Sequence, residues 1–261
     1  MCYSIIIPTF NRSQLIQRSI DSVLLLFSGS NLEYEIIVVD DASVDNTKEL
    51  IDEEYSEQIK SGILHYHYLK KNVGVTAAKN FGALSAKFER LIFLDSDDEL
   101  INDLNALESE CEMLDKYGLV FFRCVSFENG HLIGQPFEYG VLLNSKDYMD
   151  LRPFPECLPV IHQKVFEKIS YSSELRGFEG ILYMQHLFEG GLIYLSPKIL
   201  RRYRQFGTDT ISSSAKSKDR LAQLAKGSKA LASLALNHRQ FRFFVKYFCR
   251  FVYYSVRGFV S

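Results

Sequence analysis

Two clusters of carboxylates carry the strongest chemical signal in this chain. Asp40-Asp41 closes the apolar run EIIVV, and Asp95-Ser96-Asp97-Asp98 closes RLIFL. Carboxylates gathered in one crevice repel one another unless a cation or a hydrogen-bond donor sits between them. A hard divalent cation, Mn²⁺ or Mg²⁺, suits that position, because it takes oxygen ligands and bridges one or two carboxylates to substrate phosphates. A single aspartate at a strand end serves equally well as a helix N-cap or Asx-turn, and for Asp40 alone the two readings carry equal weight. Three carboxylates within four residues need a further reason, since one is enough to cap.

A second signal is the segment NVGVTAAKN at 72–80. Asn72 and Gly74 can shape a turn that approaches a ligand closely, and Lys79 can bring positive charge to it. Taken alone, the segment also reads as an ordinary helix start with a solvated lysine. Neither GxxxxGK[ST] nor GxGxxG follows the first strand, so the P-loop and dinucleotide fingerprints are absent. The six histidines show no pair at i, i+4, and His65 and His67 share one strand face in a structural manner. Five scattered cysteines without CxxC spacing argue against a disulfide framework or a zinc site and point to a reducing compartment.

These residues need elements to position them. Residues 4–7 form a β-branched strand stopped by Pro8, and Asn11-Arg12-Ser13 offers a cap for a following helix with apolar residues at helical spacing. Residues 35–39, 63–69 and 90–94 read as three more strands, with helices beginning near Asn46 and over 76–87 and 102–114. Continuous apolar strands alternating with helices predict a parallel α/β sheet. In such sheets ligands lie beyond the carboxyl ends of the strands, where both acidic clusters fall.

The order SIIIPTFNR, EIIVVDDAS, KKNVGVTAAKN, LIFLDSDDE resembles the catalytic domain of family 2 glycosyltransferases, closely over residues 3–115 and more loosely to about 212. The resemblance implies a GT-A-like, Rossmann-type, mostly parallel sheet flanked by helices, with a C-terminal helical extension. It implies a nucleotide-sugar domain over 1–212, with 1–115 on the donor side and 116–212 on the acceptor side, and a helical tail over 213–261. By position, Pro8, Thr9, Phe10, Asp40 and Asp41 would hold the base, usually uracil. Asn72, Gly74, Lys79 and Asn80 would lie near the base and ribose. Asp95 and Ser96 would reach the ribose and diphosphate, and Asp97 and Asp95 the metal, Asp97 being the direct ligand. Lys79 stands where the family commonly has arginine, which keeps the charge but loses the planar fork.

Inverting transfer needs a general base for the acceptor hydroxyl. The family draws it from a Glu-Asp pair at a helix start, and Glu179 matches the first member, but Gly180 replaces the aspartate. Glu179 could serve, Glu174 could swing in, the base could be lost, or Glu179 could be an acid that stabilises a helix N-terminus. At 201–212, RRYRQFGTDTIS resembles the family's Tyr-Arg-x-His segment with Phe206 at the histidine position, where Arg202 or Arg204 could compensate by contacting phosphate.

The 261 residues are 47% hydrophobic and 24% charged, which supports a core and excludes a disordered chain. The net charge of −2 conceals an asymmetry: residues 215–261 hold ten Lys/Arg and one acid. A Ser/Thr-rich stretch at 208–219 reads as the linker to this tail. Arg239, Arg242, Lys246 and Arg250 recur at helical spacing, opposite Phe241, Phe244, Val245, Phe248, Phe251 and Val252. Such a helix can lie on an anionic membrane surface, or pack on the catalytic domain or a second subunit; nucleic acid is not expected, for want of a binding motif. No 18-residue run is free of charge and the N-terminus lacks signal-peptide features, so a cytoplasmic protein is expected, which the tail, in the first of these alternatives, could hold on the inner face of the membrane. The expected function is metal-dependent inverting transfer of a sugar from a nucleotide diphosphate, UDP in the first instance, to a glycan or lipid-linked acceptor in surface polysaccharide synthesis. Two rivals are a nucleotide-sugar-binding homologue without turnover and a membrane-associated scaffold, and a homo-oligomer is compatible with all three.

Overall fold

The computed structural model describes residues 2–136, 138–150, 156–175, 177–205 and 218–260. The expected linker at 208–219 lies largely outside them, as does Phe206.

The first half is the alternation that the sequence predicts. Strands β1 (Cys2–Thr9), β2 (Glu33–Asp40), β3 (Leu64–Tyr68) and β4 (Arg90–Phe93) run parallel in the order β3-β2-β1-β4. Ile5, Ile6, Ile7, Ile36, Ile37, Val38 and Val39 are fully buried, as expected of strands covered on both faces. Helix α1 (Ile16–Phe27) packs Ile16, Ile20 and Val23 on one face, and α4 (Val75–Ser85) covers the other. α4 approaches so closely that a Cβ on Gly82 would lie 2.5 Å from the Ile6 side chain, which only glycine permits. Between these, α2 (Thr47–Glu54) and α3 (Ser56–Lys60) lead into β3.

Beyond β4 the sheet becomes mixed. β5 (Glu99–Leu100), β6 (Leu119–Ser126), β7 (Val141–Leu143), β8 (Cys157–His162) and β9 (Ile193–Tyr203) extend the order to β4-β8-β6-β9-β5, with β7 on β9. β8 is antiparallel to both β4 and β6, while β9 runs parallel to β6. The single helix expected over 102–114 is two short ones, α5 (Leu104–Glu108) and α6 (Cys111–Tyr117), and the first is capped by Asp103, whose carboxylate accepts from the Ala106 N–H at 2.9 Å. Helices α7 (Ser145–Asp150), α8 (Gln163–Phe166) and α9 (Gly180–Phe188) complete this half.

A helical hairpin follows, α10 (Lys218–Asn237) and α11 (Phe241–Val260). Ala232 and Ala235 of α10 join Phe243 and Tyr247 of α11 in one core with Leu182, Met184 and Leu187 of α9. Tyr247 donates to Met149 Sδ at 3.2 Å, which ties α11 to α7. The apolar face expected of α11 therefore divides. Phe244 and Phe251 turn towards the protein, while Phe241, Val245, Phe248 and Val252 remain exposed. The small residues of α10 let α11 press its Phe243–Tyr247 side inwards, and that rotation sets the split.

Candidate active site

The register of the parallel strands puts the acidic clusters side by side. Thr9 is the partner of Asp40 across β1 and β2, and the chain leaves β4 into Asp95 on the other flank of β1. Asp40 is fully buried; its carboxylate accepts from the Tyr66 hydroxyl at 2.6 Å and the Ser43 N–H at 2.7 Å. Asp41 accepts from the N–H groups of Val73 and Gly74 at 2.6 and 2.7 Å, and the Asn72 side chain donates to its carbonyl at 3.2 Å. Gly74, at φ 94°, takes a backbone that side chains resist, and it opens α4. Asp40 and Asp41 thus fix the loops around the crevice through their carboxylates, and Asn72 and Gly74 belong to the same knot.

Pro8 and Thr9 are buried and Phe10 is exposed, beside the crevice mouth. The Thr9 hydroxyl is buried without a hydrogen-bond partner, an unusual state for an interior polar group. Asn11 sits at φ 53° and does not cap α1. Its side chain accepts from the Val44 N–H and its own N–H donates to Ser43 Oγ, both at 2.8 Å, which joins the loops after β1 and β2. Next to them a groove of about 430 Å³ opens between Arg12, Asp45 and Arg204.

The second cluster separates into distinct roles. Lys79 is buried on α4, with its Nζ 2.9 Å from Asp95 Oδ1 and 3.5 Å from Glu179 Oε1. Burial disfavours its charge, but the two carboxylates prevail and raise its pKa. Burial acts on Asp95 in the opposite sense to Lys79 and Arg201, and these cations keep its pKa low. Asp97 is half-buried; burial and the neighbouring Asp95 charge raise its pKa, against the pull of Arg12 and Arg204. Ser96 is buried between them. Asp98 faces inwards, where Arg201 Nη1 lies 3.2 Å from its Oδ2 and the Arg204 N–H donates to its Oδ1 at 2.9 Å. Burial and its acidic neighbours raise the Asp98 pKa despite Arg201. Asp98 is therefore the anchor of the loop, while Asp95 turns to Lys79 and Asp97 stays half-buried beside it.

Glu179 arrives from the other half. Asn80 forms a reciprocal amide pair with the backbone of Tyr171, at 2.7 and 3.0 Å, fastening α4 to the segment before α9. Asn80 thus acts as a strut, with both ends of its amide engaged by protein. Phe178, beside Glu179, packs under α10 so tightly that a Cβ on Gly227 would lie 2.2 Å from its ring. Glu174 is exposed on the preceding turn. A Cβ at Gly180 would meet only the Tyr148 hydroxyl, at 3.8 Å, so space for a side chain exists there.

Sequence reasoning passed over Arg201, which is buried and also donates to Cys124 Sγ, Glu156 and the Cys157 carbonyl. Strand alternation could not have found it: in β9 both Leu200 and Arg201 are buried, at a stretch where the pairing with β6 shifts register, while the side chain of Arg202 stays about half exposed near Glu99. Tyr66 was also missed, lying on the β3 face opposite His65 and His67.

The donor set suits a hard divalent cation. Asp95 and Asp97 offer carboxylate oxygens; burial first, and the Asp95 charge second, disfavour the Asp97 carboxylate, and a cation beside the pair would relieve both. Among the described residues no group of three or more His, Cys, Asp and Glu is arranged to hold a metal, so a bound ion would draw its remaining ligands from substrate and water.

Comparison with known proteins is consistent across sequence and structure. Residues 4–168 match the family model described as Glycosyl transferase family 2. Over 218 residues the chain is 29% identical to the GalNAc(5)-diNAcBac-PP-undecaprenol beta-1,3-glucosyltransferase of Campylobacter jejuni, covering 80% of this chain and 66% of that one. Over 99 residues it is 39% identical to the poly(ribitol-phosphate) beta-N-acetylglucosaminyltransferase TarP of Staphylococcus aureus, covering 37% and 28%. The chain thus spans no more than two thirds of these relatives. Among solved structures, S. aureus TarS 1-349 in complex with UDP-GlcNAc superposes with a TM-score of 0.71 at 20% identity, over 96% of this chain and 72% of that one.

Proposed function

This chain belongs to glycosyl transferase family 2, with the GT-A fold, and from that premise we propose that it moves a sugar, with inversion, from a UDP-sugar to a hydroxyl of a lipid-linked or polymeric glycan at the cytoplasmic face of a membrane. Glycosyltransferase is what the family membership shows; the biosynthetic role, donor, acceptor, stereochemistry, metal dependence and residue roles belong to this proposal. The observation that carries it is the Lys79 ammonium between Asp95 and Glu179, which joins the end of a donor-side strand to the start of an acceptor-side helix. The relatives named above and the UDP-GlcNAc seen with TarS support the choice of donor and acceptor class.

In this reading the loop of Pro8, Thr9 and Phe10, with Asp40 and Asp41 holding the loops around it, receives the base. Asp97 and Asp95 would hold Mn²⁺ or Mg²⁺, which when bound stabilises the charge on the departing diphosphate. Arg12 and Arg204, beside Asp97, add positive potential on the same side. Glu179 takes the proton from the acceptor hydroxyl at its carboxylate, and Lys79 fixes where that carboxylate stands. Gly180 favours a second reading, a homologue that binds the donor without turnover. The two separate on one assay: incubation with UDP-sugars, Mn²⁺ and an undecaprenyl-diphosphate saccharide, followed by mass spectrometry of the lipid fraction. A product heavier by one sugar, with inverted anomeric configuration by NMR, supports transfer. UDP binding with no product supports the second reading.

A further inference from the structure

Helix α11 carries three stripes. One, with Phe243 and Tyr247, is buried in the protein. A second, Phe241, Val245, Phe248, Val252 and Val256, recurs every three or four residues and is between 43% and 66% exposed throughout. The third, Arg242, Lys246, Arg250 and Arg257, runs alongside the second on the solvent side. From Arg239 to the last residue described in the helix there are five cations and no acid. A line of large apolar side chains left in water over about four helical turns is unusual for a monomer surface.

We propose that this exposed half of α11 is a docking surface for an anionic lipid bilayer, which the helix meets lying in the interface plane. Its apolar stripe enters the headgroup boundary and its basic stripe meets the lipid phosphates. Charge decides the occupant. A second copy pairing through α11 brings mainly further cations to the contact, the acid beside the stripe, Asp150, being already paired with Arg242 at 3.6 Å, whereas anionic headgroups complement them. No helix among the described residues is long and apolar enough to cross a membrane, so contact through α11 is along a surface. Because α11 is fastened to α7 through Tyr247 and to α9 through the shared core, docking would fix the orientation of the whole domain. The inference is independent of the transfer reaction.

The test is sedimentation of the full chain with phosphatidylcholine vesicles, with and without phosphatidylglycerol, beside sedimentation velocity of the protein alone. The wild type is expected to bind only the anionic vesicles and to be released by salt. Lys246→Gln with Arg250→Gln should lower the partition coefficient roughly thirtyfold, from about fivefold per cation. Val245→Ser with Val252→Ser should lower it about tenfold or more, with unchanged circular dichroism. Equal binding to both vesicles, no binding to either, or serine variants that bind like the wild type would overturn the proposal. So would self-association, abolished by the serine pair, without vesicle binding; that result assigns the stripe to a second copy.

Discussion

The two halves of the crevice are built in different ways. On the proposed donor side Asp40 and Asp41 stand at the end of β2 and are held by neighbours a loop away: Asp41 by Val73 and Gly74, Asp40 by Tyr66 and Ser43. On the proposed acceptor side Glu179 is placed by groups from distant parts of the chain, with Lys79 and Asn80 of α4 on one flank and the neighbouring Phe178 seated on Gly227 of α10. A donor pocket at these strand ends would be preformed by the sheet. An acceptor site made by docking depends on everything that docks, including the C-terminal hairpin.

That contrast can be broken by substitution. Asp97→Asn should have the largest effect, removing metal-dependent UDP binding and with it turnover, a loss of at least about a hundredfold in affinity for the metal complex, measured by calorimetry. Unchanged affinity would detach the acidic loop from the donor. Glu179→Gln should lower kcat by about 10² to 10⁴ while UDP affinity holds, because general-base catalysis contributes about that much. Equal losses in both would merge the two halves. Lys79→Met should affect both sides, weakening donor binding and turnover together. It should also destabilise the fold by about 3 kcal/mol, the lower end for removing one member of a buried ion pair, since Asp95 and Glu179 keep some contact with water. Urea denaturation reads that number. Gly227→Leu should be the mildest on donor binding and specific to the acceptor side: it displaces Phe178, lowers kcat several-fold and leaves UDP affinity within error.

The same contrast decides what the sequence discloses. The four parallel strands and the carboxylates at their ends are legible because burial on both faces forces continuous apolar runs, and those runs end where ligands bind. Roles within the clusters are less so. Asp95, Asp97 and Asp98 look alike in sequence, and only the buried Arg201, reached across the sheet, shows that Asp98 anchors the loop. The mixed half is harder still, since β8 enters between β4 and β6 against the chain direction and no local pattern announces it. Even the helix expected from residue 102 begins later, after the Asp103 cap, and divides at Ser109–Glu110. In α11 the spacing shows an amphipathic helix, but which apolar residues face the protein depends on the alanines of α10, which periodicity cannot register.

The central claim is that the ends of β1, β2 and β4 form a nucleotide site completed by a divalent ion at Asp97 and Asp95. It is tested most directly by calorimetric titration of the full chain with UDP, with and without Mn²⁺. Saturable binding with Mn²⁺, lost when the metal is removed by chelation, is the predicted result. No binding under either condition would contradict the account and leave the acidic loops with a structural role alone.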